Sequence, residues 1–179
     1  LLYLGPRLPS VEVLRDVRFQ EPLRVYSRDG LLMGEFGEMR CTPVRFEQIP
    51  QVLIHAVLAA EDDRFLRHHG VDFGGLSRAA WELATTRSIQ SGGSTITMQV
   101  ARNYFLSRDQ TFVRKFNEIL LALQIERELD KQQILELYLN KIFLGYRAYG
   151  IEAAAQVYYG RPIEQLSLDE AALIAGLPK

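Results

Sequence analysis

This sequence of 179 residues has little cysteine, no long apolar run and almost no net charge, and each of these excludes a class of structure or of partner. Cys41 is the single cysteine, so the chain cannot form an internal disulfide. No run of about 18 apolar residues occurs, so we expect no helix that spans a bilayer. The net charge is −1, from 21 basic and 22 acidic side chains. No overall positive field therefore attracts nucleic acid, and we expect no nucleic-acid partner.

The chain has two parts with different patterns. Hydrophobic residues make up 47% and charged residues 24%, as is ordinary for a globular protein with a core. Residues 1–45 contain two short apolar runs around Asp29 and Gly30, which predict a β hairpin. Residues 46–179 are helical in pattern nearly throughout. We therefore predict a mainly α fold with a small N-terminal β hairpin, divided into an N-terminal segment, 1–45, and a helical domain, 46–179.

Helix boundaries follow from apolar spacing and capping residues. The first helix starts at Pro50, and its apolar spacing continues to Phe65. Asp130 and Ser167 each begin a capping box before a helix. The further predicted helices cover 74–86, 94–105, 112–130, 131–145, 150–159 and 168–175.

The stretch HAVLAAEDDRFLRHHG, at 55–70, joins an apolar helical pattern to three successive acids. Glu61 lies seven residues after Ile54 and three after Leu58, which places it on the apolar face of the helix. Desolvation there raises a carboxyl pKa toward neutrality, as a general base requires. The alternative is a helix-end acid that pairs with a neighbouring arginine.

The acids and histidines after Glu61 carry weaker signals. Asp62 and Asp63 lie on other sides of the helix, so we expect them to be solvated or to cap. His68 and His69 have neither an HExxH pattern nor a cluster of partners. We therefore expect no metal site built from protein residues alone.

A glycine-rich loop, SGGSTITMQ, precedes the third predicted helix. Free backbone N–H groups at a helix start bind anions, and glycine lets a ligand approach closely. The spacing of a Walker loop is absent. A flexible connector is the alternative interpretation.

The charge around this loop is positive although the whole chain is slightly negative. Residues 74–117 contain six basic and two acidic side chains, so their net charge is 6 − 2 = +4. A solvated basic face and a site for a phosphate-bearing substrate both fit this pattern. The six cations are Arg78, Arg87, Arg102, Arg108, Arg114 and Lys115.

A second carboxylate falls on an apolar stripe in RKFNEILLALQIE. Glu118 shares its helix face with Leu121 and Ile125, and it follows Arg114 by four residues and Lys115 by three. One interpretation is an ion pair within the helix, which is worth a few tenths of a kcal/mol. The other is a charged group held in a cleft and oriented by the two cations.

Two cleft carboxylates on a helical domain indicate sugar chemistry. A hydrolase must protonate a poor leaving group and needs a carboxylic acid. Transfer from a sugar diphosphate expels a stable anion, so it needs a base for the acceptor and positive charge for the leaving group. One base, a glycine-rich helix start and a basic segment favour transfer.

Five stretches, in order, resemble the five motifs of the peptidoglycan glycosyltransferases, the N-terminal catalytic domain of class A penicillin-binding proteins. They are EDDRFLRHHG, GGSTITMQ, RKFNEILLALQIE, ILELYLNKIFLG and LSLDEAALIAGLP. The resemblance extends from Val44 to the end of the chain. It implies a lysozyme-like fold with a partly hydrophobic small lobe on the membrane surface. It also implies elongation of a glycan strand from lipid II.

The resemblance assigns roles by motif position. Glu61 becomes the base that deprotonates the 4-hydroxyl of the acceptor GlcNAc, which attacks the anomeric carbon of the donor MurNAc with inversion and expels undecaprenyl pyrophosphate. Glu118 becomes a second catalytic glutamate near the reacting centre or its phosphate. The implied substrate-binding positions are Asp62, Phe65 and His68, which shape the site, and Ser94, Thr95, Gln99, Arg102, Arg114, Lys115 and Phe143.

Two positions depart from the family pattern. Met98 stands where many members have a glutamine, and Phe143 stands where a tyrosine is frequent. The first change removes an amide and the second removes a hydroxyl. Both affect fine substrate contacts and leave the two glutamates in place.

The resemblance also implies a setting. The sequence lacks an initiator Met and a signal peptide, and we expect a fragment that follows a membrane anchor and precedes a transpeptidase domain. The expected location is the periplasmic face of a bacterial inner membrane, with a divalent cation, Mg or Mn, bound through the substrate diphosphate. The alternatives are a lysozyme-like hydrolase or lytic transglycosylase, and a non-catalytic glycan- or membrane-binding domain.

Overall fold

The computed structural model describes residues 9–17, 23–36, 40–86, 93–106 and 112–178. This part of the chain is mainly helical with a small N-terminal hairpin, so the predicted fold class is confirmed. Its α-helices are α1 (Gln51–Glu61), α2 (Phe73–Thr86), α3 (Ile96–Phe105), α4 (Phe112–Glu128), α5 (Lys131–Lys141), α6 (Ile151–Tyr159) and α7 (Leu168–Ala175).

Two small sheets accompany the helices. Strands β1 (Leu23–Tyr26) and β2 (Leu32–Phe36) pair antiparallel around the predicted turn, where Gly30 has a φ of 81°. Strands β3 (Arg40–Cys41) and β4 (Ala148–Tyr149) pair in parallel and join the N-terminal part to the loop before α6.

Most helix limits agree with the sequence, and the capping boxes at Asp130 and Ser167 are confirmed. The expected continuation of α1 to Phe65 is wrong, because α1 ends at Glu61. Asp62 leaves the helical region with φ −162° and ψ 79°, and its side chain binds elsewhere. The extension of α5 to residue 145 is also wrong, since Ile142 is extended and its carbonyl accepts from Gly150.

Helix α3 lies at the centre of the core. It packs against both α4 and α5, while α1 packs against α7. Ile96, Val100 and Ala101 of α3 are fully buried, as are Leu121 of α4 and Ile134 of α5. Full burial of an aliphatic side chain contributes about 1.5–3 kcal/mol, so the core fixes α3 firmly relative to its neighbours.

The N-terminal segment is attached to the helical body by specific contacts. Val11 and Leu14 are buried in the same core as the helices. The Asn140 amide donates to the Val44 carbonyl and accepts from the Val44 N–H, both at 2.8 Å. Arg15 pairs with Glu128 at 2.8 Å. The division at residue 45 stays a prediction, but these contacts show that the two parts share packing.

None of the helices in the described ranges has the length and apolar character needed to cross a membrane.

Gly70, the last residue of EDDRFLRHHG, lets its turn pack closely against α4. Gly70 has a φ of 84°, and a Cβ at this position would lie 2.7 Å from the backbone oxygen of Ala122. Its carbonyl accepts a 2.5 Å hydrogen bond from the Thr95 hydroxyl, directly before α3. The turn therefore needs both a left-handed backbone and an absent side chain.

We predict that Gly70→Ala lowers the free energy of unfolding by about 3 kcal/mol, which combines left-handed strain with overpacking. Gly30→Ala is the matched control, because Gly30 has nearly the same φ and no heavy atom within 4 Å of its would-be Cβ. It should cost only about 1 kcal/mol. Urea unfolding of both variants measures the difference, and equal losses would contradict the close packing against α4.

Candidate active site

Glu61 is the final residue of α1 and is half-buried. Its Oε2 accepts a 2.7 Å hydrogen bond from the side-chain amide of Gln99 in α3. The carboxylate is therefore held at the junction of two helices, as the sequence placed it at the end of an apolar face.

Two hollows meet at this carboxylate, and Ala60, Glu61 and Ser94 line both of them. The larger hollow, of 440 Å³, is also lined by Gln99, Arg102, Asn103, Ile142, Phe143 and Pro178. The smaller, of 120 Å³, is also lined by Ala59, Asp62, Asp63, Asp72, Gly75, Arg78, Gly93 and Thr95. The carboxylate of Glu61 can thus contact a ligand in either hollow.

Asp62 joins the end of α1 to the start of α3. Its Oδ2 accepts from the Ile96 N–H at 3.0 Å, and its two oxygens lie 3.0 and 3.1 Å from Nε2 of His68. The Nδ1 atom of His68 is buried without a hydrogen-bond partner. A proton on Nε2 lets His68 donate to the carboxylate of Asp62. Asp62 is therefore buried and binds the first N–H of α3, which confirms the capping alternative for this residue and not the solvated one.

The start of α3 is closed by side chains. Thr95 caps the helix by accepting from the Met98 N–H at 3.2 Å, while Asp62 takes the Ile96 N–H. An anion cannot use either of these two donors. An anion at this helix start would have to use other backbone N–H groups, and the anion site stays a prediction.

Lys115 connects the basic segment to the groove that the two hollows form together. Its ammonium donates one hydrogen bond to the hydroxyl of Ser94 and another, of 3.1 Å, to Oε2 of Glu118. Arg114 Nε lies 3.3 Å from the other oxygen of Glu118. Ser94 lines both hollows, so Lys115 places its positive charge directly behind the groove wall.

Glu118 lies deeper than the cleft interpretation predicts, and its catalytic role stays a prediction. It is 1% exposed and lies behind Lys115 instead of in the groove, where neither hollow includes it. A residue on an apolar stripe of a helix can lie either in a cleft wall or in the core, and Glu118 lies in the core. The predicted pairing with Arg114 and Lys115 is confirmed, and Glu118 serves as their buried counter-charge.

The other predicted residues divide between the groove wall and its support. Phe65 is 1% exposed and packs beneath the ammonium of Lys131, which lies 4.4 Å from its ring centroid. The structure therefore places Phe65 in the core. The walls of the two hollows contain Glu61, Asp62, Ser94, Thr95, Gln99, Arg102 and Phe143, and the support behind them contains Phe65, His68, Arg114, Lys115 and Glu118.

Sequence reasoning missed three residues of this region. Asn103 follows Gln99 by one helical turn and lines the larger hollow, a spacing that was available in the sequence. Arg78 lines the smaller hollow and was counted only as part of the basic segment. Tyr138 is buried, and that burial and the negative charge of Glu61 raise its pKa, which no local pattern reveals because the two residues are far apart in the sequence.

Possible metal ligands are sparse here. The described ranges contain no group of three or more His, Cys, Asp or Glu side chains that could hold a metal ion. Lys115 contacts both Ser94 and Glu118, and its positive charge opposes a metal ion at that place.

The family of the chain follows from a comparison with known proteins. The family model described as Transglycosylase matches residues 29–179. Since this match covers well over half of the sequence, the chain belongs to the transglycosylase family. It is a peptidoglycan glycosyltransferase domain, which confirms the resemblance of the five motifs and the predicted enzyme class.

Individual relatives share one name. The chain is 68% identical over 178 residues to penicillin-binding protein 1A of Pseudomonas aeruginosa, covering 99% of this chain and 22% of that protein. It is 54% identical over 177 residues to penicillin-binding protein 1A of Escherichia coli, covering 99% and 21%. A crystal structure of penicillin-binding protein 1A from Haemophilus influenzae aligns with 90% of this chain and 14% of its own, at 36% identity and a TM-score of 0.45. The chain thus spans about a fifth of the curated relatives' length.

We predict that Asp62→Ala lowers the free energy of unfolding by about 2–5 kcal/mol, because it leaves the Ile96 N–H and the His68 Nε2–H buried without acceptors. The thermal midpoint should fall by roughly 5–15 °C. Asp63→Ala is the matched control, since Asp63 is the exposed neighbour, and it should change stability by no more than about 0.5 kcal/mol. Similar midpoints for the two variants would refute the role of Asp62 as a clamp that ties the end of α1 to the start of α3.

Proposed function

We propose that this domain polymerises lipid II into glycan strands, with Glu61 as the general base. The observation that supports this most is the place of Glu61 between two hollows. Among the described residues it is the one carboxylate that lines both of them. A reaction between two bound sugars needs one base at the boundary of two subsites, and this arrangement meets that need.

In the proposed reaction, the 4-hydroxyl of the acceptor GlcNAc gives its proton to Glu61. The acceptor oxygen attacks the anomeric carbon of the donor MurNAc and forms the new glycosidic bond. The bond between that carbon and the diphosphate breaks, and undecaprenyl pyrophosphate leaves with the electron pair. Attack from the opposite face inverts the anomeric carbon.

The charges favour the larger hollow for the donor. Arg102 lines this hollow, and Lys115 lies behind its wall on Ser94. Cations beside a departing diphosphate stabilise the charge that develops in the transition state. The charged residues that line the smaller hollow are four acids and Arg78, so we assign this hollow to the acceptor sugar.

Hydrolysis on the same scaffold is less well supported. A hydrolase needs a second carboxyl group that faces the reacting bond as acid or nucleophile. Glu118 is buried behind Lys115, and Asp62 is already bound to His68 and to the start of α3. A non-catalytic binding domain would not need a carboxylate between two hollows.

We propose that any divalent cation arrives on the diphosphate of the substrate. The described residues offer no cluster of protein ligands for it, and the nearby side chains are cationic. We therefore propose that Arg102, Arg114 and Lys115 stabilise the negative charge that develops in the transition state.

The setting is also a proposal. The relatives are penicillin-binding proteins about five times as long as this chain. We propose that the domain works at the periplasmic face of the inner membrane, next to its lipid-linked substrate, in a polypeptide that also carries a transpeptidase domain. Lipid II and the growing glycan strand are its expected partners.

We predict that Glu61→Gln lowers the turnover of lipid II by at least about 10²–10⁴-fold, the usual contribution of a general base. Binding of lipid II should be largely kept, because the amide preserves the shape of the side chain. The readout is the length distribution of glycan strands made by this chain in detergent. Glu164→Gln, a change of an exposed glutamate in the turn before α7, is the control and should leave turnover unchanged.

The products distinguish the candidates. Long strands from lipid II with no cleavage of finished glycan are expected. Cleavage of finished glycan would support a hydrolase or lytic transglycosylase. Unchanged turnover in Glu61→Gln would refute the role of this residue as base.

A further inference from the structure

We propose that the turn from Phe143 to Tyr149 is a binding site for the glycan strand, and that the exposed ring of Tyr146 stacks there on a sugar ring of the strand whose end occupies the larger hollow. This inference rests on the proposed function, because the strand is the donor in that hollow.

The proposed reaction decides which ligand extends out of the larger hollow. Each transfer removes the diphosphate of the donor and keeps that of the acceptor, so the lengthened strand carries its diphosphate on the newly added sugar. The lengthened strand is therefore the donor of the next transfer. Its newest sugar then occupies the larger hollow, and its older sugars extend beyond it.

The turn begins in the wall of the larger hollow. Phe143 lines this hollow and is 53% exposed, so it lies where the hollow opens to solvent. Its backbone forms an isolated bridge with Tyr149 of β4, and the centroids of the two rings lie 5.1 Å apart. Tyr146 follows Phe143 by three residues, so its Cα lies within about 11 Å of the Cα of Phe143. A strand that leaves the hollow past Phe143 therefore passes within reach of Tyr146.

The backbone at the tip of this turn is strained. Gly145, Tyr146 and Arg147 have φ values of 87°, 44° and 63°, so three successive residues lie in the left-handed region. Glycine adopts this region freely, whereas tyrosine and arginine adopt it at a cost in free energy. Such strain is concentrated at functional sites, where the surrounding structure holds it. The chain thus carries a tyrosine where glycine would fold more readily.

Hydrogen bonds hold the strained turn in place. The Leu144 N–H donates to the Ala148 carbonyl at 3.0 Å, and the Ala148 N–H donates to the Gly145 carbonyl at 2.7 Å. The Tyr158 hydroxyl of α6 donates to the Leu144 carbonyl at 2.7 Å. The turn is therefore preorganised, which lowers the entropic cost of binding a ligand.

The ring of Tyr146 lies mostly in solvent. Tyr146 is 78% exposed and meets the ring of Tyr158 edge to face, with the centroids 5.8 Å apart. An exposed aromatic residue alone is ordinary, but one at a strained position of a preorganised turn is typical of a binding site. The faces of the ring are electron-rich, and one face of a pyranose sugar presents C–H groups with partial positive charge. The two faces therefore stack favourably.

The test is Tyr146→Gly in the full chain, because glycine removes the ring and fits the left-handed backbone. The probe is a soluble tetrasaccharide of alternating GlcNAc and MurNAc, without lipid or diphosphate, followed by a nuclear magnetic resonance titration. We expect Tyr146→Gly to weaken its binding by about tenfold, as for the loss of an aromatic anchor. The thermal midpoint should stay the same or rise, since the strain is relieved. Tyr146→Phe keeps the ring and should keep the affinity.

Strand length gives a second readout. The first coupling of two lipid II molecules fills only the two hollows, whereas later couplings involve a strand that reaches the turn. Tyr146→Gly should therefore shorten the strands more than it slows the first coupling. Tyr26→Ala is the matched control, since Tyr26 is an exposed tyrosine of β1 that lines neither hollow. It should leave the tetrasaccharide affinity and the strand length unchanged.

The outcomes separate this inference from the proposed function. If Glu61→Gln abolishes turnover while Tyr146→Gly keeps the tetrasaccharide affinity and the strand length, this inference fails alone. If Glu61→Gln keeps turnover, the proposed function fails, and the tetrasaccharide titration still decides the inference. Weaker binding of Tyr146→Gly to vesicles of phosphatidylethanolamine and phosphatidylglycerol, with unchanged tetrasaccharide affinity, would mean that the turn contacts the membrane and would overturn the inference. A lower thermal midpoint with unchanged tetrasaccharide affinity would mean that the ring serves the fold, and it would overturn the inference too.

Discussion

The bond between Asp62 and the start of α3 is the constraint on which the site depends. Glu61 ends α1 and Gln99 lies in α3, so their 2.7 Å contact requires the two helices to meet in a fixed way. Asp62 sets that meeting by accepting from the Ile96 N–H while His68 holds its other side. The carboxylate next to the base thus works as a structural clamp. Since α3 also packs against α4 and α5, the clamp acts on a helix that core contacts hold in place.

The two glutamates of this site lie at different depths below the protein surface. Glu61 is half-buried at the groove, while Glu118 is buried behind it with Arg114 and Lys115 as partners. A buried carboxylate needs such partners, because an unpaired charge in the interior is very costly. In return Glu118 holds Lys115 toward Ser94, at the wall of the groove. One acid therefore faces the ligand space, and the other holds the cations that serve it.

Local signals in the sequence predicted the helices well, because caps and apolar spacing act over a few residues. Asp130 with Gln133, Ser167 with Glu170, and the turn at Gly30 were all readable in this way. The position of Glu61 could also be predicted from its helix face. Contacts between distant parts could not. The spacing of Glu118 fits the core and the cleft equally, and the contact of Asp62 with Ile96 joins residues 34 positions apart.

Chemical rescue tests the central claim most directly, because it asks whether a carboxylate at this one place is what the reaction needs. In Glu61→Ala the side chain is removed and space is left at the junction of the two hollows. We expect negligible turnover of lipid II by this variant, and a saturable recovery as formate is added, with the inverted product unchanged. Full turnover by Glu61→Ala without formate would contradict the account.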